Sequence, residues 1–104
     1  MDKPEAIGLI ETTFYTTALR LVDMVCKAAD IRLISSEKYL GGRLVTLVIA
    51  GSVSSVKEAL FFAEQGDSQN HIKSAILISS PADEIMKYLA TKKTKKNMEE
   101  TENE

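Results

Sequence analysis

Four side chains of this 104-residue chain offer proton transfer, nucleophilic attack or metal binding: His71, Cys26, Glu11 and Glu37. A lone histidine can serve as a general base or a metal ligand. No second histidine or cysteine stands at ligand spacing, so a metal site has little support. His71 follows the polar run Gln65–Asn70 and reads as a loop residue. Cys26 falls among the apolar positions of a helical stretch. A reactive thiol needs a base or cation facing it, and Lys27, its neighbour in sequence, does not face it on a helix. Cys26 therefore reads as a small buried hydrophobe. Glu11 and Glu37 would make a carboxylate pair for acid–base work only at short range. The sequence fixes no distance between them, and strand-end carboxylates commonly cap helices or pair with lysine. Gly41-Gly42 suggests a phosphate loop, but such loops lead from a strand into a helix, whereas these glycines lead into a strand. No catalytic residue, cofactor or metal site is assigned, and the chain lacks a convincing active site.

The elements that must position these residues follow from periodicity and punctuation. Ala6–Thr12 is a short apolar run, read as a first strand. Thr12 or Thr13 is the expected cap of a first helix over Tyr15–Ala29, with Ala18, Val22, Val25, Cys26 and Ala29 at helical spacing. Ile31 opens a second strand running to Lys38. After Gly41-Gly42, the β-branched run Leu44–Ile49 reads as a buried third strand. Ser52 caps a second helix whose core stripe is Val53, Val56, Leu60 and Ala63, widened by Phe61 or Phe62. A turn-forming segment at Gln65–Asn70 precedes a fourth strand over Ile72–Ile78. Ser80-Pro81-Ala82-Asp83 opens a short third helix over Pro81–Ala90, with Ile85, Met86 and Leu89 inward.

The order β-α-β-β-α-β plus a terminal helix predicts an α+β fold, a ferredoxin-like four-stranded antiparallel sheet with helices on one face. One domain is expected over residues 1–93. The run of lysines and then glutamates over 94–104 is too polar to offset its ordering entropy and is expected to be a disordered tail. A formal net charge of −2 gives no general attraction to nucleic acid or anionic membrane. The third strand lacks the exposed aromatics of a sheet that reads RNA. Neither a membrane-length apolar segment nor a signal peptide is evident, so a cytoplasmic location is expected.

Several motifs occur in a consistent order: Glu5-Ala6-Ile7-Gly8-Leu9-Ile10-Glu11-Thr12, Val25-Cys26-Lys27-Ala28-Ala29-Asp30, Glu37-Lys38, the glycine tip, Leu44-Val45-Thr46-Leu47-Val48, and Gly51 to Ala59. Read together, they resemble the single-domain, hexamer-forming shell proteins of bacterial microcompartments. The resemblance covers residues 5–90. It implies a structural protein, not an enzyme, that forms cyclic homohexamers, tiles with other shell proteins, and encloses encapsulated enzymes inside a cytoplasmic organelle. It places a pore loop at Leu40, Gly41, Gly42 and Arg43, through which metabolites pass. Glycine N–H groups and an inward Arg43 would favour small polar or anionic ones, whereas an Arg43 on the rim would pair with a carboxylate. It puts the tiling edge at Lys27, Asp30 and Ser80.

The chain departs from that pattern in four places, one of them Thr13-Phe14, where the family often has glycine after Glu-Thr. The tip is one residue longer than the usual glycine-serine-glycine loop. Asp30 stands where asparagine is common, and Ser79-Ser80-Pro81 stands where an edge arginine is usual, so weaker sheet formation is expected. Two further functions share this fold. A nucleotide sensor of the nitrogen-regulatory type would trimerise and carry a long mobile loop. A hydrolase of the acylphosphatase kind needs an arginine after the first strand, where Glu11-Thr12-Thr13-Phe14 offers none.

Overall fold

The computed structural model describes residues 3–89. Within them the elements are β1 (Ala6–Thr13), α1 (Tyr15–Ala28), β2 (Ile31–Tyr39), a 3-10 turn (Leu40–Gly42), β3 (Leu44–Gly51), α2 (Val53–Gln65) and β4 (Ile72–Ser79). Residues 83–89 form a short helix that closes the described chain. The expected α+β order is present, in a four-stranded sheet with strand order β2-β3-β1-β4 and every neighbouring pair antiparallel. The tail over 94–104 and Ala90, the expected end of the third helix, lie outside the described residues.

Period-2 alternation sorts the strands onto two faces. Ala6 and Ile10 of β1 and Val45, Leu47 and Ile49 of β3 face α1 and α2. They form the main core with Ala18, Leu21, Val25, Val56, Ala59 and Ala63. Ile7, Val48 and Ala50 face the other way and are covered in part by Met86 and Leu89 of the 83–89 helix. Gly8 lets α2 lie close to the sheet. A Cβ there would stand 3.0 Å from both Ile49 Cγ1 and Val56 Cγ1.

Some sequence expectations need correction. Neither Thr12 nor Thr13 caps α1; its N-cap is Phe14, with no side-chain cap bond. β1 runs through Thr13, which pairs with Leu44, so both threonines are spent in the strand. Cys26 is exposed rather than buried. The buried stripe of α1 is Ala18, Leu21 and Val25, and a residue one step past Val25 is turned 100° away from it. Ile85 is exposed, for the same reason, beside the inward Met86. In α2 Phe61 points out, Phe62 packs against the core, and Ala59 completes the buried stripe. Ser52 does cap α2, accepting from the Ser55 N–H at 3.1 Å.

Candidate functional site

The loop between β2 and β3 is built around three consecutive left-handed residues: Leu40 (φ 54), Gly41 (φ 67) and Gly42 (φ 91). Glycine takes such angles freely, while an L-residue crowds its Cβ against the carbonyl. The turn closes with the Arg43 N–H donating to the Leu40 carbonyl at 3.4 Å. Gly41 is the apex, since a Cβ on it would meet nothing within 4 Å. Leu40 is 73% exposed, the most exposed of the large apolar side chains among the described residues. Arg43 is exposed too, and its guanidinium has no hydrogen bond or ion pair among them.

Two contacts hold this tip against the start of α1. The Phe14 N–H donates to the Arg43 carbonyl at 2.9 Å. The Lys38 ammonium lies 4.5 Å from the centroid of the Tyr15 ring, a cation–π contact. A Cβ on Gly42 would lie 3.6 Å from Tyr15 Cβ, an ordinary packing distance. Phe14 itself has φ 65, so the joint between β1 and α1 is also left-handed at a non-glycine residue. His71 braces the joint from the other side. Its Nδ1 is 2.8 Å from Thr13 Oγ1, its carbonyl accepts from the Thr13 N–H at 3.0 Å, and its ring meets Phe14 edge-on at 5.6 Å. Asp67 fixes the loop before His71, its two oxygens accepting from the His71 and Ile72 N–H groups at 2.7 Å each.

Phe14, Tyr15 and His71 are supports of the tip that spacing and composition did not reveal. The positive φ at Phe14 falls where the resembling family often has glycine after Glu-Thr, and His71 meets Thr13 across 58 residues. The reading of His71 as a loop residue is close to the mark. It sits just before β4, part-buried, with Gln69 Oε1 3.0 Å from its other ring nitrogen.

The two carboxylates fall in one row of the sheet face away from α1 and α2. Glu37 pairs with Thr46, which pairs with Glu11. Two strand spacings separate them, about 10 Å, too far to share a proton. Glu37 is only 8% exposed and accepts a hydrogen bond from the Tyr39 hydroxyl. This supports a structural part for Glu37. Among the described residues no group of three histidine, cysteine, aspartate or glutamate side chains is placed to hold a metal ion.

Lys27, Asp30 and Ser80 lie far from the tip. Ile31, Gly51, Ala6 and Ser79 make one row across the sheet, and Asp30 and Ser80 flank its two ends. The row formed by Tyr39, Leu44 and Thr13 borders the tip at the opposite end. At about 3.3 Å per residue, the two ends of these eight-residue strands are roughly 25 Å apart. Lys27 is exposed in the last turn of α1 and pairs with Asp23 one turn earlier, at 2.9 Å. Asp30 is exposed, as is Ser80, whose N–H donates to the Glu5 carbonyl at 2.7 Å.

A cleft of about 170 Å³ opens between α1 and the loop before β4, with Arg20, Met24, Asp67 and His71 among its lining. None of the tip residues lines it. No helix of the described residues is long and apolar enough to cross a membrane.

Residues 6–81 match the family described as the BMC domain. A bacterial microcompartment shell protein, PduA of Citrobacter freundii, is 33% identical over 86 residues, covering 82% of this chain and 91% of the relative. A carboxysome shell protein, CsoS1A of Hydrogenovibrio crunogenus, is 38% identical over 55 residues, 53% of this chain and 56% of the relative. A solved microcompartments protein from Desulfitobacterium hafniense DCB superposes with a TM-score of 0.67 at 17% identity. It covers 78% of this chain, which spans 44% of that longer one, and carries the fold alone.

Proposed function

Because this chain belongs to the BMC-domain family of bacterial microcompartment shell proteins, we propose that it is a structural building block of such a shell, forming cyclic hexamers around a central pore. One observation carries the reading: the exposed tip Leu40–Arg43 and the exposed edge residues Lys27, Asp30 and Ser80 occupy opposite ends of the same sheet. A radial placement uses both ends at once. With tips inward, six copies of Leu40, Gly41, Gly42 and Arg43 converge on the axis. With the other end outward, Lys27, Asp30 and Ser80 meet neighbouring hexamers of this or another shell protein.

The tip chemistry suits solute passage rather than catalysis. Glycines let the backbone approach a narrow opening, and six unpaired Arg43 guanidinium groups make its mouth cationic. Small polar or anionic metabolites bound for enclosed enzymes are the solutes such a mouth admits. Neither a cofactor nor a catalytic group enters this reading. The chain acts through shape, charge and self-association, at the boundary of a protein-walled compartment in the cytoplasm.

The test is conductance of the purified assembly in a planar lipid bilayer under a salt gradient. The wild-type reversal potential should show anion preference, and Arg43→Gln should remove that preference while leaving the assembly's mass unchanged. An unchanged reversal potential in the variant would place Arg43 away from the permeation path.

A further inference from the structure

Resting on the pore reading above, we infer that Leu40 forms an apolar collar at the narrowest point of the opening, which passes small neutral solutes and retards hydrated ions. Leu40 invites the inference because nothing inside the protomer accounts for a leucine there. Its φ of 54 is one that glycine or asparagine adopts at less cost. Its side chain is 73% exposed and belongs to neither core cluster, so it contributes little to folding. Leu40 is thus both strained and solvated, with glycines following it at 41 and 42. Backbone outliers of this kind point to a role outside local stability.

The occupant that covers Leu40 is a second copy of this chain. The tip ends the sheet, and a Cβ on Gly41 beside Leu40 would meet nothing within 4 Å. In a ring with tips inward, Gly41 at the apex carries no side chain, so Leu40 beside it supplies the large apolar group nearest the axis. Six branched aliphatic side chains around a narrow axis exclude water when no solute is present, and an ion must shed hydration to cross them. A neutral solute loses far less. Arg43, three residues on and anchored through its carbonyl to Phe14, is set back from the apex. It supplies the charged mouth, and Leu40 the neck. The two residues thus divide the work, with Arg43 setting the preferred sign of charge and Leu40 the overall rate for ions.

The experiment compares wild type, Leu40→Ser, Leu40→Gly and Arg43→Gln by light-scattering mass and by bilayer conductance in symmetrical potassium chloride. Both Leu40 variants keep the protomer core intact, and Leu40→Gly also relieves the left-handed backbone. The inference expects a six-copy mass throughout and ionic conductance raised on the order of tenfold in both Leu40 variants, with no such rise in Arg43→Gln. A six-copy mass with unchanged conductance in both Leu40 variants overturns the collar and leaves the pore reading standing. A wild-type mass other than six copies overturns the pore reading and the collar with it.

Discussion

The backbone N–H of Phe14 donates to the carbonyl of Arg43 at 2.9 Å, tying the strained joint between β1 and α1 to the base of the exposed tip. The tip is therefore a supported part of the fold, and its position depends on residues at the start of α1 and on His71 behind them. That relationship decides which substitutions should act on the tip and which on the core.

At the tip itself, cost should follow the backbone angle. Gly41 has φ 67 with nothing near its Cβ position, so Gly41→Ala should lose only the left-handed penalty, about 1 kcal/mol. Gly42 has φ 91, farther from the left-handed well. Gly42→Ala should therefore cost more, about 2 kcal/mol. Urea denaturation of both variants checks the order, and equal costs would contradict the turn geometry.

In the core, Gly8→Ala should destabilise by about 1–3 kcal/mol, since the new methyl meets Ile49 and Val56 at 3.0 Å. Ile49→Val alone should cost about 0.5–1.5 kcal/mol. The double variant should cost less than the two singles added, because removing one Ile49 methyl makes room beside residue 8. Strict additivity in denaturation midpoints would show that the helix moves away instead.

The loop before β4 rests on one carboxylate. Asp67→Ala removes the acceptor of two backbone N–H groups and should cost about 1.5–3 kcal/mol. Asp67→Asn keeps one oxygen and should fall between that variant and wild type. Amide hydrogen exchange at His71 and Ile72 should quicken most in the alanine variant.

At the far end of the sheet, Lys27 pairs with Asp23 on an exposed helix face. Such a pair contributes about 0.3–0.5 kcal/mol, so Lys27→Ala should leave protomer stability nearly unchanged. If Lys27 is a tiling residue, the same variant keeps its hexameric mass in light scattering and forms no extended sheets by electron microscopy. Sheets as extensive as those of wild type would assign Lys27 to the helix surface alone. Because Ser80 stands where the family resemblance expects an arginine, Ser80→Arg should promote sheets at lower protein concentration.

Much of this arrangement was legible in the sequence, because it rests on local rules. Gly41-Gly42 followed by Leu44–Ile49 marked the tip and β3, and Ser52 before Val53 marked the start of α2. What escaped depends on contacts distant in sequence. Thr12 and Thr13 look like helix caps, yet β1 extends through them and their hydroxyls turn to His71. Cys26 lies beside Val25 in sequence, but the helix turns 100° per residue and carries it into solvent. The stripe of α1 was read through Val22 when Leu21 is its buried member, since both positions fit a helical period from Ala18 and Val25. The supports of the tip, Phe14 and His71, become neighbours only when β4 pairs with β1.

The measurement that bears most directly on the central claim is the solution mass of the purified full chain by light scattering. A mass of six copies of the 11.5-kDa chain, unchanged on dilution through the micromolar range, is the predicted result. A monomer or a trimer would contradict the ring, and with it the pore assigned to Leu40, Gly41, Gly42 and Arg43.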